Sequence, residues 1–142
     1  MSSYNNYEQI LAEWLANFVD SITLSINNEN VSVPLVFRDY PPTLEEVQSF
    51  GDKVYCVYTI FEGSFGQQVV QSVSLFSYGN RAKVFAKKEL MSQALLNNAV
   101  VVNGSNIKVK FTSGSPFIQD RTDTDENIKG YYINVLATVY RL

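Results

Sequence analysis

The sequence predicts an α+β fold: a mostly antiparallel, twisted sheet with an N-terminal amphipathic helix and one internal helix packed against it. Three observations lead there. Tyr7, Ile10, Leu11, Trp14, Phe18 and Ile22 recur at three- and four-residue spacing, the period of a helix with one buried stripe. Residues 53–61, 68–78 and 129–142 are rich in β-branched and aromatic side chains, as strands are. Between the last two lies a helical stretch, residues 82–97, whose apolar side chains spread widely around the axis, which predicts contacts on more than one side.

In chain order, the opening helix is expected over residues 4–19, with Asn5 or Asn6 as cap and Glu8 in its first turn. Ile22, Leu24 and Ile26 then alternate with Ser21, Thr23 and Ser25, which predicts a half-buried strand, and residues 27–30 read as a turn. Residues 31–37 resume a strand pattern around Pro34; proline cannot donate to a ladder, so this is an edge strand or a bulge. Thr43 and Glu46 have capping-box spacing and predict a short helical turn through Val47. The glycines at 63 and 66 suit a hairpin loop between two long strands. Ile107, Val109 and Phe111 alternate as a further strand. Residues 112–130 read as a long polar loop. The closing strand is long and strongly apolar along one face (Tyr131, Ile133, Val135, Ala137 and Val139) and is expected inside the sheet rather than at its rim.

A chain of 142 residues fits one domain, residues 1–142, and buries roughly 70% of the surface of its unfolded form. With 46% apolar and 18% charged residues it is too apolar for disorder. No apolar run approaches the roughly 20 residues that cross a bilayer, so no membrane association is expected. The first six residues, Met1-Ser2-Ser3-Tyr4-Asn5-Asn6, have neither a basic region nor a hydrophobic signal core, and Cys56 is the single cysteine. A protein made in a reducing cytoplasm is expected.

The chemistry of catalysis is sparse. Zero histidines remove the usual general base near neutral pH and the commonest zinc ligand. Cys56 lies among bulky strand residues, where an inert buried thiol is expected. No serine sits in Gly-x-Ser-x-Gly, and Gly63-Ser64-Phe65-Gly66 is too short for a phosphate loop and lacks its lysine. Asp123, Asp125 and Asn127 mimic the first ligands of a calcium loop, but Ile128 replaces its glycine and Asn134 its bidentate glutamate. No enzyme, cofactor or metal is expected.

Charge and aromatic content point instead to assembly. The net charge of −3 argues against a general nucleic-acid coat. Cations collect in Arg81, Lys83, Lys87, Lys88, Lys108 and Lys110; acids collect in Asp120, Asp123, Asp125 and Glu126, interrupted by Arg121. Such polarity suits head-to-tail contact between identical subunits, or else marks ordinary solvated faces. Nine Tyr and nine Phe suit interfaces as well as a core. Ser115-Pro116-Phe117-Ile118-Gln119-Asp120 sets apolar side chains in a hydrophilic stretch, where they either fold back on their own subunit or insert into the next.

The order of these elements, with Pro116-Phe117-Ile118-Gln119-Asp120-Arg121 leading into Gly130-Tyr131-Tyr132-Ile133-Asn134-Val135-Leu136-Ala137-Thr138-Val139-Tyr140, resembles the tail terminator (tail completion) proteins of long-tailed bacteriophages. The resemblance covers nearly the whole chain in architecture, through loose patterns of residue type. It implies an antiparallel sheet with helices against it and a hexameric ring on the finished tail tube. That ring stops tube growth and offers a docking surface to a head-completion or neck protein. DNA passes its lumen without specific binding. The partners implied are further copies of the chain, the tail tube protein and the head-side protein, in the virion tail at its head-proximal end. The basic cluster Arg81, Lys83, Lys87 and Lys88 is expected to pair with the acids of a neighbour's 116–126 segment rather than to face the lumen, where it would retard DNA. A neck connector, a tail-tube subunit, and a small cytoplasmic module binding a peptide or ligand are the alternatives.

Overall fold

The computed structural model describes residues 3–97, 100–104, 106–122 and 127–142. Helix α1 (Ser3–Leu15) continues into one 3-10 turn, Ala16–Phe18. It begins ahead of Asn5 and Asn6, which lie within its first turns instead of capping it. The stripe read from the spacing is the buried one: Tyr7, Ile10, Leu11, Trp14 and Phe18 all face the core.

Strands β1 (Ser21–Ile26) and β2 (Glu29–Pro34) pair antiparallel as a separate two-stranded ribbon. Its two-residue turn, Asn27 and Asn28, has φ of 52° and 64°. Left-handed geometry at both central residues matches the right-handed twist of a hairpin, and asparagine tolerates it better than most residues. Pro34 ends β2 opposite Ser21, on a ribbon that consists only of edges. Buried Leu35 then leads into β3 (Val36–Arg38). Helix α2 (Leu44–Ser49) carries the predicted capping box: Thr43 Oγ1 accepts from the Glu46 N–H at 3.2 Å, and the Glu46 carboxylate accepts from the Thr43 N–H at 3.3 Å.

Strands β4 (Tyr55–Thr59) and β5 (Gln68–Tyr78) follow, then α3 (Arg81–Asn97), β6 (Val100–Asn103), β7 (Ile107–Thr122) and β8 (Ile128–Arg141). They form a six-stranded sheet of order β3-β4-β5-β8-β7-β6, antiparallel except for β3 beside β4. The closing strand β8 sits inside this sheet, as its length and its apolar face predict. Buried Gln71 on β5 acts as a partner for the β4–β5 loop. Its amide donates to the Phe61 carbonyl at 2.6 Å and accepts from the Phe61 N–H at 2.8 Å.

The segment 112–130 is not a polar loop. Strand β7 runs to Thr122 and pairs with β8 from Ile118↔Ile133 out to Thr122↔Lys129. The register breaks between Ser113 and Ile118. There Gly114 closes on Asn134, whose backbone oxygen would lie 2.9 Å from an added Cβ, and the Ser115–Pro116 peptide is cis. This bulge interrupts the alternation of apolar and polar residues, so the strand pattern ends at Phe111 in the sequence although the ladder continues. The four-residue edge strand β6 was too short to announce itself.

Helices α1 and α3 cover one face of the sheet. Phe111, Leu75, Ile133 and Val135 meet Leu11, Trp14 and Met91 there, and Trp14 stacks on Phe111 with ring centroids 4.6 Å apart. On the opposite face, Tyr55, Phe76 and Ile128 pack with Leu35 and Val47 of α2 in a second cluster. Among the described residues no helix is long and apolar enough to cross a membrane.

Candidate assembly surface

Helix α3 buries Val84, Met91 and Leu95 against the sheet, yet Phe85, Leu90 and Leu96 stand 49%, 52% and 61% exposed. At about 100° per residue, Phe85 and Leu96 border one side of the outward face and Leu90 the other. Exposed Ala82 and Ala86 lie between them. Glu89 and the exposed Gln93 share that arc, so the outward face mixes small and polar side chains with large apolar ones at its borders. A surface helix normally presents mainly polar residues on that side; here three large apolar side chains stand among them.

The basic residues of α3 engage acids of their own chain. Arg81 reaches Asp120 at 3.1 Å, both well exposed. Lys83 lies 3.4 Å from both Asp20 and Asp52, and Lys87 is 3.9 Å from Asp20. Asn80, donating to Asp52 at 2.9 Å, and Lys83 beside it hold the Asp52 carboxyl below its ordinary range. The Lys88 ammonium sits 4.1 Å from the Phe85 ring centroid and 5.1 Å from that of Tyr131, and pairs with Glu89. The pairing expected across a subunit boundary is therefore made in part within the subunit, by Arg81 and Asp120.

The 116–121 segment is the bulge and outer end of β7. Phe117 and Ile118 are half-buried and pack against the main core, so the apolar pair folds back on its own subunit. The Pro116 carbonyl accepts from the Asn134 side chain at 2.7 Å. Gln119 and Asp120 are exposed, and Arg121 belongs to the β7 ladder opposite Gly130. Asp123, Asp125 and Glu126 lie outside the described residues.

A surface that the sequence reading did not single out is the β1–β2 ribbon. Ile22 faces Val33 and Leu24 faces Val31 across it, so Ile22, Leu24, Ile26, Val31 and Val33 share one side. Ile22 packs on the second cluster at the base. Towards the tip, Leu24, Ile26 and Val31 are 42%, 47% and 38% exposed, instead of the half-buried state expected from their alternation. The alternation itself was the signal. Which side of a ribbon the body covers is a tertiary fact that alternation does not carry.

The sheet also holds a cavity of about 280 Å³, lined by Asp39, Thr59, Ser72, Ser74, Phe76 and Tyr132 among others. The Ser72 and Tyr132 hydroxyls are 2.6 Å apart within it. Cys56 is fully buried, and burial pushes its thiol up to about 12, away from the thiolate a nucleophile needs. Among the described residues no three His, Cys, Asp or Glu converge as metal ligands. No protein-family model matches this chain, and no curated protein matches it.

Proposed function

We propose that the chain is a structural virion protein, a tail terminator. Its copies close into a ring, a hexamer as the resemblance implies, on the head-proximal end of a phage tail tube. The ring ends polymerisation of the tube and offers the surface on which a head-completion or neck protein docks, while DNA passes through the lumen without specific binding. The protein works by contact and turns over no substrate.

The observation that carries this reading is α3, which exposes Phe85, Leu90 and Leu96 on the side that it does not pack. Three exposed large apolar side chains on a surface helix are costly in water and are retained where another protein covers them. The element order supports the family in particular: N-terminal helix, strands, internal helix and a long hairpin of β7 and β8. A ligand-binding module is the weaker reading. The cavity beside Ser72 and Tyr132 among the described residues, about 280 Å³, falls just below the roughly 300–1,000 Å³ of small-molecule sites.

Native mass spectrometry over a concentration series, with electron microscopy of the protein mixed with purified tail tubes, tests the proposal. Six-membered rings, free or seated on tube ends, are the expected result. A protein that stays monomeric and leaves tube ends bare overturns it. Long tubes formed by the protein alone would make it a tube subunit instead.

A further inference from the structure

We infer that the β1–β2 ribbon of one copy lies across the outward face of α3 in the next copy, with its Asn27–Asn28 tip toward Arg81. This rests on the ring reading and names the contact that builds the ring. Four features of the chain converge on it.

First, both surfaces are apolar and uncovered: Leu24, Ile26 and Val31 on the ribbon, Phe85, Leu90 and Leu96 on the helix. A two-stranded ribbon is marginal by itself in water, and a third layer on its apolar side is what stabilises such an element. Second, the shapes fit. Between Phe85 and Leu90 the outward face carries the small Ala82 and Ala86 beside the polar Glu89 and Gln93, and the lengths of the two elements match. A six-residue strand spans about 20 Å, and α3 from Ala82 to Leu96 spans about 21 Å.

Third, charge orients the contact. Glu29, opposite Ile26 at the tip, is the only charged residue of the ribbon. On α3 every cation lies in the N-terminal half, and nothing charged follows Glu89. The most exposed of them is Arg81, 63% exposed, at the helix start, where the first turn holds no acidic residue. Glu29 placed there meets both the guanidinium and the positive end of the helix dipole. The exposed Arg81–Asp120 pair is weak enough to share its arginine. Fourth, ribbon and helix are different surfaces of one chain. Contact between them is heterologous, leaves a free ribbon at one end and a free helix at the other, and closes into a ring when the rotation between copies permits.

Two experiments decide it. Leu24→Cys and Leu90→Cys proteins, one carrying a mass tag, are mixed and mildly oxidised; native Cys56 is buried and stays out of the reaction. A mixed disulfide that forms faster than either homodimer is expected. Glu29→Arg and Arg81→Glu are expected each to weaken self-association by about tenfold, and the two changes in one chain to restore most of it. Circular dichroism and thermal transitions close to the parent's show that these exposed changes leave the fold intact. Rings that form without preference for the mixed disulfide, and that ignore both charge changes, overturn the ribbon contact while leaving the ring. Absence of self-association in the parent, alone and on tubes, removes the ring and the contact together.

Discussion

The Asp20 carboxylate accepts a hydrogen bond from the backbone N–H of Val54 at 2.8 Å, tying the foot of the β1–β2 ribbon to the lead-in of β4. The backbones bond as well: Asp20 N–H donates to the Val54 carbonyl, and Leu35 N–H donates to the Asp20 carbonyl. Lys83 and Lys87 of α3 close on the same carboxylate. One side chain thus joins ribbon, sheet and helix. Asp20→Ala leaves the Val54 N–H, at a fully buried residue, without its side-chain acceptor. The expected loss is about 1–3 kcal/mol by urea unfolding. Asp20→Asn keeps an acceptor and loses only the attraction to the lysines, so it is expected to cost less than half as much. Equal losses for the two variants would show that the lysines, not the amide bond, matter at this site. Trp14, the single tryptophan and a buried one, reports the transition by fluorescence.

Gly130 lies in β8 opposite Phe76, where an added Cβ would overlap the Leu75 carbonyl and the Phe76 ring. The carbonyl belongs to a central strand and cannot swing aside as a flexible side chain would. Gly130→Ala is expected to lower stability by about 3 kcal/mol or more, the upper end for overpacking. Gly51, with φ of 69° and open space around its Cβ position, supplies the contrast. Gly51→Ala strains the backbone without a collision and is expected to cost only about 1 kcal/mol. Denaturation midpoints of the two variants measure the difference.

How far the fold can be read from the sequence follows from which elements carry their own signal. Helix α1, strand β5 and the Thr43–Glu46 box all do, because period, alternation and capping are local properties. The centrality of β8 was legible too, since a strand so long and so apolar along one face is not expected at a rim. The outer part of β7 was not. Its ladder to β8 survives a register break at residues 114–117 that destroys the local pattern. The same limit applies to surfaces. The spread of apolar residues around α3 is legible as exposed Phe85, Leu90 and Leu96, but the exposure of Leu24, Ile26 and Val31 depends on where the body of the protein stops. Nor did the sequence tell that Phe117 and Ile118 return to their own core, or that Arg81 meets Asp120.

Alkaline pH provides a check on the core. The Cys56 thiol is buried, and loss of hydration raises its folded value to about 12. In the unfolded chain it titrates near about 8.5. A folded value raised in this way contributes stability that is fully present below the unfolded value and is lost as pH rises between the two. Above pH about 9 the wild type is expected to lose up to about 1.4 kcal/mol per pH unit from this group. Tyr58, raised to about 12 chiefly by burial and next by Glu8, steepens the loss above pH about 10. Cys56→Ala is expected to cost about 1 kcal/mol at neutral pH and to flatten the limb between pH about 9 and about 10. Parallel limbs for the two proteins would show that the thiol is not shielded as described.

Lys88 separates the structural from the associative duties of the basic cluster. Its side chain is 11% exposed, and its ammonium lies over the rings of Phe85 and Tyr131. Reversing that charge sets a carboxylate against the electron-rich faces of two rings and beside Glu89, with little access to water. Lys88→Glu is expected to destabilise the monomer by about 1–3 kcal/mol, through the lost cation–π contacts and the desolvated acid. Lys88→Met keeps the stem packed over both rings and is expected to recover most of that loss. Assembly defects in Lys88→Glu therefore report on folding. Arg81, exposed on the rim of the same helix, is the position where charge reversal tests contact between copies. Thermal unfolding of all three variants, set beside their sedimentation at low and high salt, distinguishes the two. Lys88→Glu shifts the unfolding curve and Arg81→Glu leaves it in place, while the salt dependence of association changes in Arg81→Glu. A stable, folded Lys88→Glu monomer would place that ammonium in solvent rather than over the rings.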